Sequence, residues 1–172
     1  VDYICSHEEE PSIYSLIPAE FTWRLPKLAS AGRLDRMSSG LLILSQSGPL
    51  IHRLISPKHH CERQYRVEVD TPLDIDSQAE KIAFEQGSIA IRDRKTNELV
   101  KCMPARLEYI DSTTARVWLN EGRYHQLRRM FQTLGKTVVG IHRESMGVVS
   151  LDPNLAPGEW RELSEDELRQ LT

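Results

Sequence analysis

From Tyr65 to Leu119 the apolar residues keep returning at every second position: Tyr65, Val67 and Val69, then Ala105 to Ile110, then Ala115 to Leu119. A period of two turns one face to a core and the other to water, so these runs predict half-buried β-strands. Their shortness and close spacing favour antiparallel pairing, because a parallel pair needs a long crossover. At Tyr124 to Leu134 the period changes. Leu127, Met130, Phe131 and Leu134 share one helical stripe, and Gly135 stands where a helix would end. Short strands interleaved with helices predict an α+β fold built on a mixed, largely antiparallel sheet flanked by helices.

The remaining segments fit that plan. Helices are expected at Ser12 to Ile17, at Pro49 to Ile55 before Pro57, and at Asp76 to Glu85 before Gly87. Leu41 to Leu44 reads as a buried strand, Val138 to Arg143 and Val148 to Leu151 as further strands, and Tyr3-Ile4-Cys5 as the end of one more. Ser164 opens a final helix with Glu167 at the capping-box position. With no internal repeat, low-complexity tract or long linker, one domain is expected.

Composition narrows the function classes. The chain has 172 residues, 40% of them hydrophobic and 27% charged, enough to bury a sizeable core. No apolar run approaches the roughly 20 residues of a membrane span, and VDYICSHEEE carries neither the basic nor the apolar region of a leader, so a cytoplasmic protein with no membrane partner is expected. Cys5, Cys61 and Cys102 are too scattered for a disulfide framework and form no CxxC pair, so reduced thiols and no metal are expected. The chain also lacks a Walker loop, GxGxxG, HExxH or GxSxG, and no cofactor is implied.

Net charge is −3, yet the charges are segregated. His52 to Arg66 holds Arg53, Lys58, Arg63 and Arg66 against Glu62, Arg123 to Arg129 holds three arginines and no acid, and acids gather at Glu8 to Glu10 and Glu162 to Glu167. Such a chain can offer a basic face to phosphates while staying mildly acidic overall.

Asp35 is the first candidate for chemistry. It stands in AGRLDRMSSGLLIL, between a turn-prone Gly32 and an apolar run, and a carboxylate at a cleft rim needs a cation to stay ionised. Arg128, beside the apolar stripe of its helix, can point inward while Arg129 points outward. Asp35 as a turn cap and Arg128 as surface charge is the plainer reading of the same residues. Tyr65 opens an alternating strand between Arg63 and Arg66, where a tyrosine is more often packing than chemistry. His59-His60-Cys61 lacks a second ligand pair, and on a strand its members would face opposite sides, so it reads as RNA-facing or structural.

Four long segments, in order and correctly spaced, carry a resemblance: GRLDRMSSGLLILSQSG at 32–48, SPKHHCERQYRVEV at 56–69, EGRYHQLRRMF at 121–131 and HRESMGVVSLDPNLAPGEWRELSEDEL at 142–168. Together they resemble the pseudouridine synthases of the RsuA/RluB/E/F type. HHCERQYR and APGEWREL are most like the member that acts on small-subunit ribosomal RNA. The resemblance implies a cofactor-free isomerase that converts a uridine of ribosomal RNA, or of a pre-ribosomal particle, to pseudouridine; a monomer is expected only by default. It places the catalytic aspartate at Asp35, the uracil-stacking tyrosine implicated in removing the C5 proton at Tyr65, and the basic partner of the aspartate at Arg128. Arg33 falls where an arginine lies near the flipped nucleotide, with Leu41 and Ile43 as an apolar wall. Arg63, Arg123, His125, Gln126 and Arg129 are the remaining expected substrate-binding residues.

Members of this type usually carry an N-terminal S4-like RNA-binding domain and a Lys-Pro-x-Gly strand. Residues 1–172 are therefore expected to be a catalytic domain, as a fragment lacking that domain and the first residues of its first strand. Met37 stands where an acid is common, Asp2 where a glycine is common, and Arg63 where a lysine is frequent, which keeps the charge and changes the geometry. Three other readings compete: a large-subunit enzyme, a non-catalytic ribosome-assembly module that binds RNA, and a nucleic-acid N-glycosidase, which would release free base.

Overall fold

The computed structural model describes residues 11–171. In chain order a 3-10 turn at Ile13–Leu16 is followed by α1 (Ala19–Thr22), β1 (Ala29–Ser30), β2 (Ser38–Gly40), β3 (Leu44–Ser45) and α2 (Gly48–Ile55). Next come a second 3-10 turn at Pro57–His59, β4 (Arg63–Val69), α3 (Ala79–Glu85), β5 (Ala90–Arg92), β6 (Leu99–Lys101), β7 (Arg106–Tyr109) and β8 (Thr114–Leu119). The chain closes with α4 (Gln126–Thr133), β9 (Val138–Met146), β10 (Val149–Ser150) and α5 (Glu165–Leu171). Among the described residues these elements fall into two compact units, one formed by 11–61 together with 143–171, the other by Glu62–His142.

In the first unit β1 and β3 pair antiparallel, with Ala29 opposite Ser45 and Ser30 opposite Leu44. β10 pairs antiparallel with the end of β9, placing Val149 opposite Met146, and β2 also pairs with β9. Ala31, Ile43, Leu50, Leu54, Met146, Val149 and Leu171 form its core. α2 reaches that core because Leu50 and Leu54 lie four residues apart on one face, and Ser47 caps its start by accepting the Leu50 N–H.

The second unit is an antiparallel sheet with β8 between β4 and β7: Val67 faces Ala115 across one ladder, and Leu107 faces Val117 across the other. Val67, Leu107, Ala115 and Val117 are fully covered, Tyr65 and Tyr109 are partly so, and α3 and α4 supply the other half of the core, where the Phe84 and Phe131 rings meet at 5.1 Å. Burying side chains of this size contributes about 1.5–3 kcal/mol each. The α+β class, with a largely antiparallel sheet and flanking helices, is as expected.

Several local expectations are corrected. Leu41 to Leu44 is not one strand. Gly40 ends β2 at φ +102°, Leu41 donates its N–H to the Arg143 carbonyl at 2.8 Å, and pairing resumes only at Leu44. The helix expected from Asp76 starts at Ala79, because Gln78 takes a left-handed φ of +54° and the Asp74 carboxylate accepts the Ser77 N–H in a turn. α4 starts two residues later than expected, at Gln126, since His125 is left-handed at φ +47°. His59 and His60 close a 3-10 turn and do not lie on a strand. The strand end expected at Tyr3 to Cys5 lies outside the described residues.

Candidate active site

Asp35 lies in the first unit, on the loop between β1 and β2. That loop leaves the core at Ala31, whose N–H donates to the Ile43 carbonyl at 2.8 Å, and turns at Gly32, φ +83°. It returns through Ser38, whose N–H donates to the Asp35 carbonyl at 2.8 Å. Both ends are thus fixed by backbone bonds. Asp35 is half-buried, while Arg33, two residues earlier, is exposed. Ile43 belongs to the core of this unit, and Leu41 packs partly buried against that core.

The far edge of the loop is clamped by Arg143. Its side chain is 3% exposed, and its Nε donates to the Leu41 carbonyl at 2.7 Å. Its Nη2 is buried without a hydrogen-bond partner among the described residues. The clamp and the Gly40 turn together set where β2 ends.

Tyr65 and Arg128 lie in the second unit. Tyr65 sits mid-strand on β4 opposite Val117, half-buried against the core. Arg63, at the head of the same strand, is buried with its guanidinium against Gly122. Arg128 and Arg129 are both half-buried, so the simple inward and outward split does not hold. Arg128 Nη1 donates to the Val138 carbonyl at 2.7 Å, and Arg129 Nη1 donates to the Tyr124 carbonyl at 3.3 Å.

The segment 121–126 before α4 is braced from within. Buried Glu121 accepts from Gln126 Nε2 at 2.7 Å, from Arg123 Nε at 3.1 Å and from the Met103 N–H at 2.9 Å. The Arg123 N–H donates to Gln126 Oε1 at 2.9 Å, so both ends of the Gln126 amide are engaged inside the segment. The His125 ring stacks on Tyr124 at 3.8 Å. A buried acid bonded three times is satisfied, so this segment can present Arg123, His125 and the head of α4 in a fixed geometry.

The described residues therefore bring Arg33, Asp35, Leu41 and Ile43 together in one unit, and Arg63, Tyr65, Arg123, His125, Gln126, Arg128 and Arg129 in the other. Sequence reasoning missed Glu121 and Arg143 as organisers. For Arg143 the only signal is its place two residues after Ile141, on the inward side of a strand. No group of three His, Cys, Asp or Glu capable of holding a metal occurs among the described residues. Burial, followed by the charge of Glu121, pushes the Cys102 thiol up and keeps it protonated.

The described residues thus show an α+β fold with a half-buried carboxylate on a braced loop of one unit and several braced arginines in the other. The model of the RNA pseudouridylate synthase family matches residues 5–133, and the chain belongs to that family. The chain is 39% identical over 168 residues to the ribosomal small subunit pseudouridine synthase A of Escherichia coli K12, covering 96% of this chain and 68% of that protein. Against the protein of the same name from Pasteurella multocida the identity is 43% over 169 residues, with the same coverage of both chains. A crystal structure of a pseudouridylate synthase superposes with a TM-score of 0.83 at 39% identity, covering 99% of this chain and 70% of that one. The archaeal box H/ACA Nop10–Cbf5 complex, at 17% identity and a TM-score of 0.55, shares the fold.

Proposed function

We propose that this protein converts a uridine of small-subunit ribosomal RNA to pseudouridine, in the cytoplasm and as a monomer, acting on the RNA or on a pre-ribosomal particle. The observation that carries the reading is the similarity to small-subunit pseudouridine synthases along 96% of the chain. In this reaction the bond from ribose C1′ to uracil N1 breaks, the base turns, and C1′ joins C5. The proton on C5 leaves to solvent and N1 gains one, so the RNA keeps its mass and neither electrons nor a cofactor are consumed.

Each residue then has a part in the reading. Asp35 supplies the carboxylate that opens the glycosidic bond. Tyr65 stacks on the uracil and receives the C5 proton. Arg128 supplies positive charge to the reacting centre. Arg33 fills the place left by the flipped nucleotide, since a base within a helix must leave its stack before such chemistry. Arg63, Arg123, His125 and Arg129 hold the RNA.

The test uses small-subunit ribosomal RNA tritiated at uridine C5. The protein is expected to release tritium without releasing free uracil. Asp35→Asn is expected to reduce release by more than about a thousandfold while RNA affinity stays within about twofold of wild type. Free uracil in place of tritium release would overturn the isomerase reading in favour of N-glycosidase chemistry, and an Asp35→Asn protein of near wild-type rate would remove Asp35 from the mechanism.

A further inference from the structure

The second unit carries a concave basic site outside the residues given catalytic roles above. The tip of the β5–β6 hairpin is fixed by its own backbone. The Asp93 carboxylate accepts the N–H groups of Lys95 at 2.8 Å and Thr96 at 3.0 Å, the Asp93 N–H donates to the Glu98 carbonyl at 2.7 Å, and Arg92 Nη1 donates to the Asn97 carbonyl at 3.0 Å. Those amide bonds, first Thr96 and then Lys95, hold the Asp93 carboxyl below its usual range. Asp93 stays ionised and is the one acid lining the hollow, against the five cations Arg92, Arg94, Lys95, Arg123 and Arg129.

Facing the tip is the segment before α4. The Arg94 guanidinium lies 4.5 Å from the centre of the Tyr124 ring, and Arg129 borders the same hollow. The hollow holds about 270 Å³ over a floor of Ile91 and Val100. That is slightly below the roughly 300 Å³ at which pockets for drug-sized ligands begin, which favours a phosphate with part of its sugar over a whole nucleotide cofactor. Arg92, Arg94, Lys95 and Arg129 form no ion pair with a carboxylate among the described residues, whereas Arg123 is paired with Glu121 at 3.1 Å. A cluster in which cations outnumber acids suits a nucleic-acid backbone, since the cations meet phosphate.

We propose that this hollow binds a backbone phosphate of the substrate RNA other than that of the reacting uridine, and so adds affinity without sequence choice. The proposal rests on the reading of the chain as an RNA-modifying enzyme.

The test compares Arg94→Ala/Lys95→Ala with wild type, using a small-subunit ribosomal RNA transcript over a series of salt concentrations and the tritium-release assay. The double variant is expected to flatten the slope of log K against log salt by about 0.7–1.8, the value for one or two lost phosphate contacts. It is also expected to raise KM by at least about fivefold and to leave kcat unchanged. Arg94→Lys/Lys95→Arg, which keeps both charges, should hold the wild-type slope and shows that the hairpin tolerates substitution. Lys101→Ala removes a cation from the same hairpin outside the hollow and should leave the slope unaltered. An unchanged slope in the double alanine variant, or an equal loss in Lys101→Ala, would overturn the proposal. Should wild type release no tritium while the double variant still flattens the slope, the isomerase reading fails and the phosphate site stands.

Discussion

Gly40 is the residue whose identity the backbone dictates most narrowly. It takes φ +102°, and a Cβ placed there would collide with the Arg143 carbonyl oxygen and come within 2.6 Å of the Arg143 nitrogen. Neither neighbour is the movable end of a side chain, so relief requires shifting β9 itself. Gly40→Ala is expected to cost at least about 2 kcal/mol, from left-handed strain plus overlap, read as a lower urea midpoint with an unchanged slope. Gly48 is the internal comparison. Nothing lies within 4 Å of its Cβ position at the start of α2, so Gly48→Ala should be neutral or stabilising by up to about 1 kcal/mol. Equal loss at both positions would contradict this account. The same contrast shows what the sequence could tell about the site. GRLD and QYR name their own candidates by residue type. Arg143 looks like an ordinary strand cation in HRES, because its partner is the Leu41 carbonyl, 102 positions away in the chain.

At the scale of elements, periodicity located β4, β7, β8 and the stripe of α4 well, because each buries one face on a core within a short stretch of chain. It failed where the backbone is set by a single residue: Gln78 and His125 enter the left-handed region and delay two helices, and Gly40 interrupts an otherwise strand-like aliphatic run. α5 is the opposite case, an element whose start was legible from its cap. The Ser164 N–H donates to Glu167 Oε2 at 2.7 Å, and the Glu167 N–H donates to Ser164 Oγ at 3.2 Å. Arg161 adds a two-pronged contact to the same carboxylate, at 2.8 and 2.7 Å.

The Arg161 guanidinium, then the Ser164 N–H, hold the Glu167 carboxyl at about 2 against an ordinary 4.5. A carboxyl depressed on folding adds stability that is complete above its unfolded pKa and disappears as pH falls through the folded one. Glu167→Gln is therefore expected to be less stable than wild type near neutral pH by about 1 kcal/mol, a typical cap contribution. The difference should narrow between about pH 4.5 and pH 2 and vanish below, as measured by thermal midpoints across that range. A constant difference from pH 6 to pH 2 would show that packing, not the ionised cap, accounts for the loss.

Over the whole molecule the charge sums to −3, a value that argues against binding a polyanion. The segregation of charge resolves this. Counterion release follows the number of phosphates neutralised at the contact and is blind to acids elsewhere on the surface, whereas the field of the entire chain acts on the rate of encounter. Glu162 and Glu165 are exposed in the acidic C-terminal stretch, and neither carboxylate bonds another described side chain. Glu162→Gln/Glu165→Gln changes the formal charge from −3 to −1. The variant is expected to keep the wild-type slope of log K against log salt for a small-subunit ribosomal RNA transcript, while its association rate at low salt rises by about two- to threefold. Stopped-flow association together with equilibrium titration over the same salts separates the two effects. A slope that moves in step with net charge would mean that the protein attracts RNA as a diffuse body and not through a built basic face.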